Sequence, residues 1–332
     1  MKDKRLLKYK GKKVLITGGA GFIGSNLAHA LVSLGADVTI LDSLNPLYGG
    51  NPFNFEGITN KINFVRGDIR DEELVNKLVK EKDLIFDLAA QVSYIDSLKI
   101  PFEDLDVNCR GHLVVLEACR NFNKNAKIVF PSSRTVYGKS NEELITESSF
   151  VNPPGLYAAH KLAAENYLMI YCKEFGIKSV VLRITNPYGV RQQIKHSKYS
   201  LPGWFIRQAM DGQTIKIFGD GSQLRDYIYI SDLVDAFLLV GLEYKADGQI
   251  FNCGSGVRRK FKEMVELVVK IVCNGKVEYI PWPENYGKME TGDSALDISK
   301  LKTFLNWDST ISLEEGLRKT FNYYKKYRDN YV

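Results

Sequence analysis

The sequence predicts a doubly wound α/β fold: a parallel sheet with helices on both faces, joined to a smaller mixed C-terminal domain. Three observations carry this. Short apolar runs alternate with helical patterns from residue 13 to residue 184. The first run ends in a glycine-rich turn, ITGGAGFIGSNLA (16–28), that opens the first helix. Past Arg183 the alternation gives way to irregular, proline-containing segments. Strands that alternate with helices require right-handed crossovers, and so a parallel sheet covered on both faces.

In chain order, KVLITG (13–18) is the first strand, IGSNLAHALVSLG the first helix and DVTILD (37–42) the second strand. INFVRGD (62–68) leads into the helical DEELVNKLVKE, and DLIFDLAA (83–90) into a helix near 105–122. KIVFPSS (127–133), a helix at 157–175 and KSVVLRI (178–184) close the series. Downstream the pattern predicts a helix near 203–211, a strand pair around 214–230, and helices near 231–243 and 261–273. The loop IPWPENYGKMETGD (280–293) follows. The expected division is a sheet domain over 1–184, with a return segment near 214–245, interleaved with a second domain over 185–332.

Composition narrows the function. With 332 residues, 25% of them charged and 45% hydrophobic, the chain has ample core and is neither disordered nor fibrous. A surplus of 45 basic over 39 acidic residues gives +6, a mild excess suited to an anionic small molecule. The basic residues are dispersed, apart from KDKRLLKYKGKK (2–13) and RRK (258–260), so no nucleic-acid partner is expected. Cys109, Cys119, Cys172, Cys253 and Cys273 are widely spaced and form no CxxC pair. They read as reduced thiols of a cytoplasmic protein, with no metal site. No apolar window reaches the ~18 residues a membrane span needs, and no membrane partner is expected.

The glycine turn has the strand–turn–helix setting of a dinucleotide phosphate site. Gly18, Gly21 and Gly24 supply the tight turn, the close approach to a pyrophosphate and the helix-to-strand packing, with the helix N-terminus facing the anion. Asp42 ends the second strand 18 positions after Gly24. A carboxylate there accepts from a ribose 2′-OH and repels a 2′-phosphate, which favours NAD over NADP. No GKS or GKT occurs, which excludes a P-loop.

A second constellation lies in LYAAHK (156–161). Tyr157 and Lys161 are four positions apart on a predicted helix and share one face. A lysine cation beside a phenol favours the phenolate, which is expected to make Tyr157 a base near neutral pH.

With TGGAGFIG, GDI, LAAQ, SSRTVYG and YxxxK in that order, the sequence resembles the extended short-chain dehydrogenase/reductase family. More narrowly, it is similar to the nucleotide-diphosphate-sugar epimerases, from about residue 12 to the C-terminus. The resemblance implies a Rossmann sheet, NAD, a nucleotide-diphosphate-sugar substrate, and a homodimer formed through the helices near 105–122 and 157–175. It makes Tyr157 the catalytic base, Lys161 its partner and a ligand of the nicotinamide ribose, and Ser133 the hydroxyl that bonds the reacting sugar oxygen. For the cofactor it implies Phe22 and Ile23 in the glycine turn, Asp68 and Ile69 at the adenine, Leu88, Ala89, Ala90 and Gln91 at the strand end, and Asn108 in the next helix. For the substrate it implies Asn186 at the pyrophosphate, Arg225 at a phosphate, Ile217 and Phe218 beside the base, and Asp293 and Ser294 in the C-terminal loop. Ser294, three residues before the acid of DISK (297–300), matches a position that gates sugar size, and serine leaves room for a 2-acetamido group.

The implied reaction is epimerisation, most simply at C4 of a UDP-hexose, by removal and return of hydride through a keto sugar. Three departures stand out. A nucleotide-holding arginine is commonly found before the GD of the C-terminal loop, where this chain has Glu290, with Arg258 and Arg259 as alternative sources of charge. The strand before LAA ends in FDL, without the histidine common there. Arg134 and Thr135 stand where 4,6-dehydratases place an acid, which favours chemistry at one carbon, by epimerisation or net oxidation. A NAD-binding module without turnover is expected to lack the tyrosine or the lysine; both are present.

Overall fold

A computed structural model describes residues 3–45, 48–140, 142–282, 293 and 295–332. Its strands are β1 (Lys13–Thr17), β2 (Asp37–Asp42), β3 (Ile62–Arg66), β4 (Leu84–Asp87), β5 (Lys127–Ser133), β6 (Ser179–Ile184), β7 (Asn186–Tyr188), β8 (Thr214–Phe218), β9 (Leu224–Tyr229), β10 (Gln249–Cys253), β11 (Arg258–Lys260) and β12 (Lys276–Ile280). Its helices are α1 (Phe22–Ser33), α2 (Glu72–Leu78), α3 (Tyr94–Lys99), α4 (Pro101–Leu105), α5 (His112–Phe122), α6 (Leu156–Phe175), α7 (Leu201–Met210), α8 (Ile230–Leu242), α9 (Phe261–Val272), α10 (Ser299–Leu305) and α11 (Leu313–Tyr327). A π-helical turn, Asp106–Gly111, joins α4 to α5.

The chain forms two compact units. The first comprises Met1–Ser133, Gly155–Arg183 and Val234–Phe251; the second comprises Arg134–Pro154, Ile184–Leu233 and Asn252–Val332. This differs from the division expected at residue 184. The stretch from 134 to 154 joins the second unit, and the returning segment is 234–251 in place of 214–245.

A seven-stranded sheet of order β10-β6-β5-β4-β1-β2-β3 organises the first unit. The registered pairs β1–β2, β2–β3, β1–β4 and β4–β5 are parallel, as the strand–helix alternation requires. From β1 the chain steps outward to β2 and β3, then crosses to β4, β5 and β6. Strand order therefore reverses between β1 and β4, and in such sheets a crevice opens at the carboxyl ends of the strands flanking that point. On one face α2, α5 and α6 bury Val75, Val115, Leu116 and Leu168, with Val79 just past α2, against Leu15, Ile85, Ile128 and Phe130. Elsewhere in this unit, Phe86 packs on Phe237 at 6.4 Å and the buried Tyr9 hydroxyl donates to the Leu238 carbonyl at 2.8 Å.

The seventh strand, β10, was not among those expected. A second correction concerns the strand pair expected at 214–230. Both strands exist, but β8 pairs in parallel with β12, while β9 lies between β7 and β11 in a three-stranded sheet. The second unit is held from inside by polar anchors. Asp232 accepts from the backbone N–H groups of Thr310 and Ile311, each at 2.9 Å, and the Tyr324 hydroxyl bonds both the N–H and the carbonyl of Gln192.

Candidate active site

The glycine turn follows β1 at the strand-order reversal. Gly18 adopts φ +65°, and a Cβ there would lie 2.8 Å from the Ala89 backbone. At Gly24 a Cβ would lie 2.5 Å from the Gly18 carbonyl oxygen, and at Gly21 3.2 Å from the same atom. Turn, helix and strand end thus meet backbone to backbone, at distances only glycine permits at Gly18 and Gly24. Gly21 is the N-cap of α1 and no side chain caps it, so the first-turn N–H groups of Phe22, Ile23 and Gly24 remain the helix's anion-facing donors. At the end of β2, Asp42 accepts from Ala20 N at 2.9 Å and Leu44 N at 2.8 Å. Burial raises its pKa, and these two donors oppose that rise. The carboxylate is thereby fixed with lone pairs left for ribose hydroxyls. These residues fit a dinucleotide.

The remaining cofactor candidates divide by what they already bond. Both oxygens of Asp68 face the Arg70 fork at 2.8 Å, which lowers the Asp68 pKa, and Ile69 is buried. Leu88 and Ala89 direct their N–H groups to Thr17 Oγ1 at 2.9 and 3.1 Å, and Ala90 continues that strand end. Gln91 turns inward, with its amide on the Ser93 backbone and on Asp104, so only its main chain is placed for a ligand. Asn108 lies in the π-helical turn, fully buried, and donates to the Gln91 carbonyl at 2.9 Å and Asp104 at 2.8 Å. Its Oδ1 is buried without a hydrogen-bond partner.

Ser133 ends β5 and Tyr157 lies in the first turn of α6; the Ser133 hydroxyl hydrogen-bonds the Tyr157 phenol. Lys161 follows one helical turn later, 3% exposed, with Nζ 3.2 Å from the Pro131 carbonyl and 4.6 Å from the Phe130 ring centre. The structure brings these three residues to one place in the first unit, but it corrects one expectation. Burial pushes the Tyr157 pKa up, the Asp104 charge adds to the rise, and only the Ser133 bond opposes it. Lys161 is itself desolvated, its pKa lowered to about 8, while Asp87, Asp104, Cys109 and Glu165 pull it back up. In the cofactor-free protein, burial and the Asp104 charge therefore favour the protonated phenol.

Several residues around this cluster were not singled out in the sequence. Asp104, fully buried, bonds His160 at 3.0 Å as well as Asn108 and Gln91. Glu165 takes the Arg183 guanidinium at 2.7 Å and the Ser132 hydroxyl, all of them buried. Asp87 and His112 form a third pair at 2.8 Å. The only signal for these was charge at positions that helix and strand periodicity bury, such as Glu165 eight positions after Tyr157 on the same helix.

The second unit holds the substrate candidates. Asn186 opens β7, faces Tyr227 across the ladder and donates to the Asp226 carbonyl at 2.7 Å. Arg225, on β9, lies opposite Arg259 on β11 and donates to the Leu224 carbonyl at 2.8 Å. The two acids that could have bound Arg225 on the surface have other donors: Ser255 and Gly256 for Asp226, Thr310 and Ile311 for Asp232. Arg258 turns to Glu143. Ile217 is fully buried, whereas Phe218 stands 5.6 Å from Trp282 in a tilted ring pair. Asp293 accepts from Leu224 N at 2.8 Å. Ser294 and Glu290 lie outside the described residues. Among the described residues no group of acids, histidines and cysteines could hold a metal, and no helix is long and apolar enough to cross a membrane.

Comparison with known proteins agrees with this geometry. The chain is 35% identical over 315 residues to a putative UDP-glucose 4-epimerase of Methanocaldococcus jannaschii, covering 94% of this chain and 98% of the relative. The UDP-glucose 4-epimerase of Thermotoga maritima, solved with UDP-glucose, superposes with a TM-score of 0.87 at 32% identity, over 95% of this chain and 99% of the other. A dTDP-glucose 4,6-dehydratase of Bacillus anthracis, solved with NAD, superposes with a TM-score of 0.84 at 27% identity, over 97% and 99%. Residues 14–254 match the family model itself, and the chain belongs to the NAD dependent epimerase/dehydratase family.

Proposed function

We propose that this enzyme is an NAD-dependent epimerase that inverts C4 of a UDP-hexose through a transient 4-keto sugar. The observation that carries the reading is Ser133 bonded to Tyr157 beside a buried Lys161, in a chain that continues with Arg134 and Thr135. The 4,6-dehydratases of this family usually place their acid in those next two positions. When bound, NAD supplies the hydride acceptor and a second positive charge beside the phenol. Tyr157 takes the proton of the sugar hydroxyl and later returns it, so no net proton or co-substrate is consumed. Ser133 holds the same sugar oxygen, and Lys161 anchors the nicotinamide ribose. Desolvation, which favours the protonated phenol in the cofactor-free protein, strengthens every charge–charge term once both cations face it. Asn186 and Arg225, on neighbouring strands, are assigned to the diphosphate, where an arginine fork suits paired oxygens. Phe218 is assigned to the base and Asp293 to the nucleotide.

The test is turnover of purified protein on UDP-glucose and UDP-galactose beside GDP-, CDP- and dTDP-sugars, with products separated by chromatography. Conversion of a UDP-hexose to its 4-epimer is expected, with Tyr157→Phe slower by about 10²–10⁴-fold while still binding NAD. A 4-keto-6-deoxy product, or near-normal turnover by the variant, overturns the assignment.

We also infer a homodimer through α4, α5 and α6. Phe102 is 81% exposed and Ile170 51%, more apolar surface than helices packed on one side present. Light scattering at micromolar concentration is expected to give twice the chain mass, and a monomer rejects the inference.

A further inference from the structure

Asp87 and His112 are buried to 1% and 0% exposure inside the first unit, and the reaction proposed above uses neither. His112 Nδ1 lies 2.8 Å from Asp87 Oδ2, while His112 Nε2 is buried with no hydrogen-bond partner. An ionised carboxylate only accepts, so the ring proton sits on Nδ1 and Nε2 is bare. The other carboxylate oxygen, Oδ1, accepts from Thr17 Oγ1 at 2.7 Å. The single hydroxyl proton of Thr17 is spent there, which leaves its oxygen to accept, and it does so from Leu88 N at 2.9 Å and Ala89 N at 3.1 Å. One line of hydrogen bonds therefore runs from α5, through the ends of β4 and β1, to two N–H groups of the strand end on which Gly18 packs.

The direction of that line depends on Asp87 being held in place. Without His112, Oδ2 loses its donor, and the carboxylate is held on the hydrogen-bond line by Thr17 alone. A carboxylate free to rotate about that single bond no longer fixes the hydroxyl that turns its lone pairs toward Leu88 and Ala89.

We propose that Asp87 and His112 are positioning residues for the cofactor. The imidazole holds the carboxylate in place, the carboxylate orients the Thr17 hydroxyl, and that hydroxyl locks the Leu88–Ala89 backbone against the glycine turn. The proposal concerns the seat of NAD and is independent of which sugar is turned over, so a failed sugar assignment leaves it standing.

Three variants test it. Thr17→Val removes the hydroxyl at nearly constant shape, His112→Leu removes the donor to Asp87, and His112→Asn offers an amide N–H in place of Nδ1–H. Two readouts are taken: amide hydrogen exchange at Leu88 and Ala89 in cofactor-free protein, and the NAD dissociation constant by titration. Thr17→Val and His112→Leu are each expected to speed exchange at Ala89 more than at Leu88, whose N–H keeps the Thr17 main-chain carbonyl at 3.2 Å, and to weaken NAD by about tenfold, the worth of one hydrogen bond. The double variant is expected to be no worse than either single one, because both cut the same line. His112→Asn is expected to stay near wild type in both readouts. Lowered thermal stability with unchanged exchange and NAD affinity overturns the proposal, as do multiplying effects in the double variant. If His112→Leu does not fold, Thr17→Val and His112→Asn decide it: an unaffected Thr17→Val, or a His112→Asn as impaired as Thr17→Val, overturns it.

Discussion

Lys161 sets the pH behaviour of the site. Burial lowers its pKa from 10.5 to about 8, against the pull of four acidic neighbours. A lysine that holds its proton less firmly when folded destabilises the protein wherever both states are charged, below about pH 8. As pH rises toward 10.5 the folded form sheds its proton first, and stability recovers. A shift of this size corresponds to about 3 kcal/mol. Lys161→Met is therefore expected to raise the melting temperature of cofactor-free protein at pH 7, with the advantage shrinking steadily between pH 8 and 10. Equal differences at both ends of that window, by calorimetry, would show the ammonium is not desolvated. Tyr157, Lys161 and the three glycines were legible in the sequence because their relation is local, a helical turn or a strand–turn–helix. Asp87 with His112 and Asp104 with His160 were not, being 25 and 56 positions apart and joined only by tertiary packing. The raised pKa of Tyr157 was missed for a related reason: spacing reveals a neighbour, but not how much water it displaces.

Among the elements, the strand–turn–helix geometry of the glycine turn was legible in the sequence, and the chain's glycines divide into two kinds. Gly24 is constrained by contact, since a Cβ would lie 2.5 Å from a carbonyl oxygen that cannot yield without moving β1. Gly176, the left-handed C-cap of α6, has φ +70° but nothing within 4 Å of its missing Cβ. Gly24→Ala is expected to cost about 1–3 kcal/mol as overpacking and to weaken NAD. Gly176→Ala is expected to cost about 1–2 kcal/mol from backbone strain alone, with NAD affinity unchanged. Denaturant melts paired with NAD titrations separate the two, and equal NAD affinity for both variants would contradict the assignment of the turn. β8 and β9 were misread as a pair because FGDGSQ between them offers hairpin turn chemistry at short range. β12 and β7, their actual partners, begin 62 and 38 residues away from the strands they join (276 less 214, and 224 less 186), a distance over which local pattern carries no register. β10 escaped because GQIFNCG is a five-residue strand that returns to the sheet after the chain has already built β7, β8 and β9.

For the whole molecule, the fold class was legible because alternation over the first half leaves few topologies, and the interleaving was expected too, but its crossing points were not, because nothing in a short window marks where a chain changes unit. The chain passes from one unit to the other five times, after residues 133, 154, 183, 233 and 251. That connectivity matters while the protein is being made. β6 is the penultimate strand of the sheet, and its outer neighbour, β10, ends at Cys253. Until the ribosome has added some 70 residues beyond Ile184 (253 less 184), the nascent sheet presents β6 as a bare, wholly buried-type edge, the kind that recruits other strands. A fragment ending at residue 184 is expected to aggregate where the full chain remains soluble, and equal solubility of the two would mean that β6 needs no cover. The sheet that seats the cofactor thus closes late in translation, and a chain stalled midway exposes an adhesive edge until its final strand arrives.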